Sequence, residues 1–360
     1  MSWYKFIIWL NVSTNFLKEL TIGTWNNADL AAREMFMYIE NNQSQNHNTS
    51  FSRGVLFILM GASSYGMLST FVKLAYKQNY TTAEVTLSQF AWGVLALTIL
   101  GHFFNKSKSE LSKVEKIKLM LAGLSTGLTS VFYYLAVKYI TASIAVVLLM
   151  QSVWMGVFLE AIMTKKFPGL DKIFAVLFII FGTLLATRVL GTTPESLDIR
   201  GVILGIMSAF SFCCTLMSSS RVATHLPPIK RSQFMLYGGA IAVAIFAFLT
   251  QLGPYYFNLH LVSSEFIKSA PFHFNIFLTY GLIVAIFGTI IPPIMLNIGF
   301  PVVGVGLGSI LSSIELPFAN IIAFLILGEH VNGMQWMGVM IIISAIFMLN
   351  YKLIFQTKTV

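Results

Sequence analysis

Long, mostly apolar stretches recur from Arg53 to the end of the chain, with short polar breaks between them. An α-helix needs about 20 such residues to cross the hydrocarbon core of a bilayer. Ten stretches come close to this length, at about 54–74, 85–104, 119–137, 139–163, 173–190, 201–220, 233–252, 274–297, 302–327 and 333–351. Only 10% of the residues are charged, whereas water-soluble domains carry about 25%. The sequence therefore predicts an all-α polytopic membrane protein with ten transmembrane helices.

The basic residues predict the orientation of these helices. The net charge is +9, and a basic excess of this size is also found in proteins that bind nucleic acids. If the N terminus is cytoplasmic, however, roughly three quarters of the Lys and Arg residues fall in cytoplasmic segments, as the positive-inside rule expects. We therefore predict a multi-pass protein of the cell (cytoplasmic or inner) membrane with both termini in the cytoplasm. The lipid bilayer is then its partner, and nucleic acid is not.

Residues 1–52 differ from the rest of the chain. They end in the polar run "ENNQSQNHNTS", and their early apolar segment "WYKFIIWL" is too short to cross a membrane. We interpret this region as a polar or interfacial N-terminal tail.

Two parts of the sequence resemble each other. Residues 139–187 align without gaps on 303–351, which places Gly169 on Gly333 and Gln151 on Glu315. Five spans in each half is an odd number, so equivalent helices would run in opposite directions through the membrane. Inverted repeats of this kind are typical of secondary transporters, whose substrates bind near the midplane between the halves.

The segments "SSIELPFANIIAFLILGEHVNGMQWMGVMIIISAIFML" and "VFYYLAVKYITASIAVVLLMQSVWMGVFLEAI" carry a resemblance to a known family. A proline in the penultimate helix (Pro317), a Gly-Glu pair at its end (Gly328, Glu329) and a final helix with glycine resemble the drug/metabolite transporter superfamily, in particular its EamA-like family. The resemblance implies two inverted five-helix repeats, at 53–190 and 200–353, and it favours export.

Glu315 is the residue that most needs an explanation, because an ionisable side chain at the centre of a transmembrane helix costs roughly 2.5–3.5 kcal/mol. Such residues usually face a bundle interior or a watery cavity. Ser312 lies one turn away on the same helix face, and Pro317 cannot donate to the carbonyl of Ser313. We therefore expect Glu315 to lie in a polar substrate cavity. The alternative is a glutamate that only joins two helices.

Further residues are candidates for the same cavity. The alignment places Gln151 opposite Glu315, and Trp154 follows it by three residues. Pro292 and Pro293 should interrupt their helix as Pro317 does, and broken helices often line transport sites. The predicted cavity residues are Glu315, Gln151, Ser312, Trp154, Asn297, Ser64 and Tyr65, and the predicted helix breaks are Pro292, Pro293 and Pro317. Packing without a role in transport is the alternative for each.

These observations predict a secondary transporter of small organic solutes that works by alternating access. No P-loop is present, so either a gradient or the substrate itself would supply the energy, and proton coupling is one form of such a gradient. Few basic residues fall among the cavity candidates, which favours amino acids, amphiphilic amines or related metabolites. We expect no catalytic residues, cofactor or metal, because Cys213 and Cys214 are adjacent and the histidines are scattered. A non-transporting scaffold and an integral membrane enzyme are the alternatives, and a homodimer is left open.

Overall fold

A computed structural model describes residues 47–103, 111–140, 142–186, 198–259, 261–262, 267, 270–328 and 332–356. Residues 1–46 of the predicted tail lie outside the described residues, and so does Glu329. Helices account for all the regular structure of the described part, which contains no strand. The α-helices are α1 (His47–Lys77), α2 (Thr82–Phe103), α3 (Lys113–Tyr139), α4 (Ala142–Leu149), α5 (Ser152–Thr164), α6 (Leu170–Ala186), α7 (Ile199–Arg221), α8 (Pro228–Ala247), α9 (Gly253–Phe257), α10 (Tyr280–Ala285), α11 (Ile291–Val303), α12 (Val305–Ser312), α13 (Glu315–Ile322) and α14 (Gly333–Gln356). The described residues also form a 3₁₀-helix at Phe274–Leu278 and π-helical segments at Phe248–Leu252, Ile286–Ile290 and Ala323–Leu327.

Eight helical segments of the described chain are long and apolar enough to cross a membrane. They are Phe51–Lys77, Thr82–Phe103, Lys113–Tyr139, Ile144–Thr164, Ile199–Arg221, Pro228–Phe257, Tyr280–Val303 and Val305–Leu327. Helices α6 and α14 correspond to the fifth and tenth predicted spans. Helix α6 has 17 residues, and the apolar part of α14 is the shorter segment Gly333–Met348.

The eighth and ninth spans, predicted at 274–297 and 302–327, meet at a different place from the break expected between those ranges. Helix α11 continues through Pro301 and ends at Val303. It can do so because the carbonyl of Asn297, which Pro301 leaves without its intrahelical donor, accepts a hydrogen bond from Arg231 Nη1 at 2.7 Å. The break comes at Gly304, whose φ of +85° and ψ of 166° are accessible almost only to glycine.

Glycines allow α3 and α8 to approach with their backbones in contact. A Cβ atom on Gly123 would overlap the carbonyl of Met235, and one on Gly238 would overlap the carbonyl of Met120. Membrane helices associate through such small residues because lipid provides little hydrophobic drive between helices.

The helix contacts follow a reciprocal pattern. Helix α3 packs on α7 and α8, while α2 packs on α10 and α8. Helix α5 packs on α12, and α6 on α14. Helix α1 packs on α11, where a Cβ on Gly61 would meet Met295 at 3.1 Å. Apolar side chains from α1, α4–α7 and α11–α14 form one buried cluster through the middle of this bundle.

Candidate functional site

A small cavity of about 70 Å³ lies at the centre of the bundle. It is surrounded by α1, α2, α3, α4, α7 and α13, together with the helical turn before α11. Most of its lining is aromatic or hydroxylic. The lining residues with a polar group are Tyr65, Ser69, Thr126, Thr129, Ser130, Tyr133, Tyr134, Thr215, Thr289 and Glu315. A space of this size holds a few water molecules.

Glu315 reaches the cavity from a break in its helix. A turn at Ser313 and Ile314 separates α12 from α13, and Glu315 is the first residue of α13. The carbonyl of Ser313, which Pro317 leaves without its usual donor, accepts a hydrogen bond from the amide of Leu316 at 3.2 Å. The break therefore presents the glutamate to the cavity without leaving this backbone acceptor unpaired.

One carboxyl oxygen of Glu315 has no hydrogen-bond partner. Oε2 is buried, although the residue as a whole is only partly buried. Tyr65 and Tyr133 border the same cavity as the carboxyl group. Among the described residues that line the cavity there is no Lys, Arg or His. Because buried polar atoms in proteins usually have a partner, this oxygen is suited to a proton, a water molecule or a cationic group.

Helix α3 contributes a polar stripe that the sequence reasoning missed. Thr126, Thr129, Ser130 and Tyr133 all line the cavity, and their spacing of three, four and seven residues places them on one helix face. This spacing is visible in the sequence and could have been found as a polar face within an apolar span.

Some of the predicted residues lie at the cavity or beside it. Tyr65 and Glu315 line it. Asn297 lines a narrow neighbouring pocket of about 10 Å³, which Tyr65 also borders. Ser64 is buried and donates to the carbonyl of Phe287 at 3.0 Å.

Three other predicted residues do not line the cavity. Ser312 donates to the carbonyl of Gly308 at 2.9 Å, within its own helix. The amide of Gln151 donates to the carbonyl of Val147 at 2.9 Å and accepts from Trp154 Nε1 at 2.9 Å. Trp154 is 39% exposed. The Gln151–Trp154 pair is thus satisfied locally.

The adjacent prolines follow a widened turn of helix. The segment Ile286–Ile290 is π-helical and leads into Pro292 and Pro293. Gly288 and Thr289 of this turn line the cavity. Single π-helical turns occur often at functional sites, and this turn brings a hydroxyl group towards the space that Glu315 borders.

A larger space, which we call the outer chamber, lies next to the central cavity. Its volume is about 370 Å³. It is bordered mainly by the end of α1, the start of α2, the end of α3 and the end of α8. Its aromatic and polar lining consists of Tyr76, Asn79, Tyr80, Thr81, Thr82, Tyr134, Lys138, Phe246, Thr250 and Gln251.

A buried carboxylate stabilises the wall of the outer chamber. Glu84 has no exposed side-chain surface. It accepts hydrogen bonds from the backbone of Thr81 at 2.7 Å, from Gln251 Nε2 at 3.1 Å and from the backbone of His273 at 2.7 Å. This carboxylate is fully engaged in joining three segments, in contrast to Glu315.

Comparison with known proteins was made for sequence families, curated proteins and solved structures. Residues 52–188 and 199–351 each match the family described as "EamA-like transporter family". No curated protein matches the sequence. One crystal structure superposes with a TM-score of 0.63, covering 85% of this chain and 99% of the other, at 14% sequence identity. At that identity the likeness concerns the fold alone.

Proposed function

The chain belongs to the EamA-like transporter family, and on this premise we propose that it is a secondary transporter of small organic solutes. Membership makes it a multi-pass membrane transporter of the drug/metabolite type. The solute, the direction and the energy source form the proposal. In alternating access, the two halves of the protein rock about a central site that opens to one side of the membrane at a time.

We propose ten transmembrane helices in two inverted repeats of five. The two family matches, at 52–188 and 199–351, support this arrangement. In this arrangement α6, with 17 residues, and α14, whose apolar part is Gly333–Met348, are the fifth helices of the two repeats. The reciprocal contacts support it as well. If the two halves are exchanged, α3 corresponds to the span formed by α10 and α11, α8 corresponds to α2, and α7 corresponds to α1. The contact between α3 and α8 then has its counterpart in the contact between α10 and α2. The contact between α3 and α7 has its counterpart in the contact between α11 and α1.

Corresponding helix breaks also support a repeat. The fourth span is interrupted at Met150 and Gln151, and the ninth at Ser313 and Ile314, next to Glu315. Discontinuous helices at matching positions of two halves are typical of transporters with a site at the repeat interface.

We propose that the protein lies in the cell membrane with both termini in the cytoplasm. The distribution of lysine and arginine supports it. The outer chamber then lies on the side opposite the cytoplasm, because it is formed by the α1–α2 connection and the ends of α3 and α8.

The unpaired Oε2 of Glu315 is the observation that carries the functional proposal. A carboxyl group among tyrosines and hydroxyls, without a lining cation, attracts either a proton or the amine of a solute. We therefore propose amino acids, amphiphilic amines or related metabolites as solutes, with export driven by exchange for protons at Glu315. Tyr65 and the polar stripe of α3 would supply hydrogen bonds to the rest of the solute.

The experiment has two stages. A thermal-shift screen of the purified protein against amines and amino acids first identifies a solute, because a ligand that binds only the folded state raises the melting temperature. Flux of that solute is then measured in reconstituted vesicles, with and without a pH gradient. Glu315→Gln should keep the fold, because the amide has nearly the same size, but lose the response to the gradient.

Glu160→Gln is the matched control. Glu160 is also a glutamate within an apolar helix, but it pairs with Lys172 and does not line the cavity. This variant should retain coupled flux. Coupled flux at the wild-type rate from Glu315→Gln would contradict the proposal, and absence of both flux and ligand stabilisation would favour a scaffold.

A further inference from the structure

The outer chamber and the central cavity meet at a single side chain. Among the described residues, Tyr134 alone lines both spaces. The chamber, at about 370 Å³, falls within the range of roughly 300–1,000 Å³ that is usual for small-molecule sites. The central cavity, at about 70 Å³, does not. The two spaces therefore adjoin at Tyr134.

We propose that Tyr134 is the partition between the outer chamber and the central cavity, and that its side chain sets the size of the solute that passes. This rests on the proposed function, since it takes the central cavity as the transport site. It adds a specificity-determining residue that contacts the solute between the outer chamber and the central cavity, before the solute reaches the carboxyl group of Glu315.

Tyr134 is held in place by one hydrogen bond and by apolar packing. It is 3% exposed, and its hydroxyl donates to Gln89 Oε1 at 3.2 Å. It belongs to an apolar cluster with Phe71 and Val284. The backbone carbonyl of Gln89 accepts a hydrogen bond from Thr289 Oγ1 at 3.1 Å. The tyrosine hydroxyl thus links α3 to α2, next to the π-helical turn that borders the cavity.

The opposite end of the cavity is more tightly closed. There the adjoining pocket is only about 10 Å³ and is lined by Ser232 and Asn297. Arg231 lies behind it and is 1% exposed. Its guanidinium group donates to the backbone carbonyls of Ser219 and Asn297. The larger space thus lies on the side of Tyr134.

The test measures how fast a thiol in the central cavity reacts. Ser130→Cys is made in a background with Cys213→Ala and Cys214→Ala, and the purified protein in detergent is treated with a trimethylammonium methanethiosulfonate reagent. Ser130 lines the cavity but not the chamber. Thr82→Cys, which lies in the chamber, reports reagent access to the chamber itself.

With Tyr134 intact, Ser130→Cys should react slowly and Thr82→Cys quickly. Tyr134→Ala should accelerate the reaction at Ser130→Cys by at least about tenfold, because it removes the partition and any need for local opening. Tyr134→Phe keeps the ring and loses only the bond to Gln89, so it should give a smaller acceleration. Tyr80→Ala, which widens the chamber but not the cavity, should give none.

Rapid reaction at Ser130→Cys with Tyr134 intact would overturn the proposal. So would equal rates in the wild-type, Tyr134→Phe and Tyr134→Ala backgrounds, or an acceleration by Tyr80→Ala as large as that by Tyr134→Ala. Size-exclusion profiles identify any variant that fails to fold, and Tyr134→Phe provides the comparison in that case. These results do not depend on flux, so they are distinguishable from a failure of the Glu315 proposal.

Discussion

Arg231 donates a hydrogen bond from Nη1 to the main-chain oxygen of Asn297, 2.7 Å away, and this is the oxygen that Pro301 leaves without an intrahelical donor. Nε and Nη2 of the same guanidinium group donate to the carbonyls of Val222 at 3.0 Å and Ser219 at 2.5 Å. Those carbonyls lie at the C-terminal end of α7, where the last acceptors of a helix lack intrahelical partners. One buried cation therefore satisfies acceptors of two helices.

We expect Arg231→Met to destabilise the protein strongly. The substitution leaves three carbonyls without their donor in a site that is closed to water, and each unpaired buried group costs about 1–3 kcal/mol. The melting temperature of purified protein in detergent measures the effect. Arg221→Met is the control, because Arg221 lies at the exposed end of α7 and should change the melting temperature little.

The role of Pro301 gives a second test of the same contact. Pro301→Ala restores an amide that can bond to the carbonyl of Asn297 within the helix. In the Arg231→Met background it should recover part of the lost stability, whereas it should recover nothing in the Arg221→Met background. If the double variant is no more stable than Arg231→Met alone, the carbonyl of Asn297 is not what the arginine supports.

Gly66→Ala should displace the helix break at Glu315. A Cβ atom on Gly66 would overlap the carbonyl oxygen of Glu315 and lie 2.9 Å from Cβ of Phe318. Overpacking of this kind typically costs about 1–3 kcal/mol, and here it also moves the carboxyl group relative to the cavity. We expect a lower melting temperature and reduced solute flux. Gly169→Ala has nothing within 4 Å of the added atom and should leave both unchanged.

Gly304→Ala should weaken the junction between α11 and α12. The backbone there, with φ of +85°, lies in a region that is essentially limited to glycine and costs other residues about 1–3 kcal/mol. The added Cβ would also lie 3.0 Å from Glu160 Oε1. Gly333→Ala, at an open position, is the comparison in a denaturant titration. Equal midpoints for the two variants would show that the junction tolerates the change.

Two exposed phenylalanines provide a matched test of orientation. Phe167 follows α5 and is 92% exposed, and Phe257 ends α9 and is 64% exposed. In a background without Cys213 and Cys214, an impermeant maleimide added outside intact cells should label Phe257→Cys and not Phe167→Cys. The reverse pattern would place the N terminus outside the cell.

Much of the fold could be predicted from the sequence, because the length and apolarity of a membrane helix are local properties. The residues that line the cavity were harder to predict. The sequence alignment pairs Gln151 with Glu315. Gln151 lies within the break between α4 and α5, and Glu315 follows the break between α12 and α13. Glu315 borders the cavity, whereas the amide of Gln151 is bound to Val147 and Trp154. Nothing in the alignment distinguishes these two environments.

The sequence by itself determined the helical class and the family, because each apolar span and the motif around Pro317 consist of consecutive residues. Tertiary structure decided which side chains share a space. Tyr134 borders two cavities only because α3 lies against α2, and Pro301 stays within a helix only because Arg231 on another helix supplies the missing donor. Contacts of this kind depend on how distant helices pack, and the spacing along one helix does not contain that information.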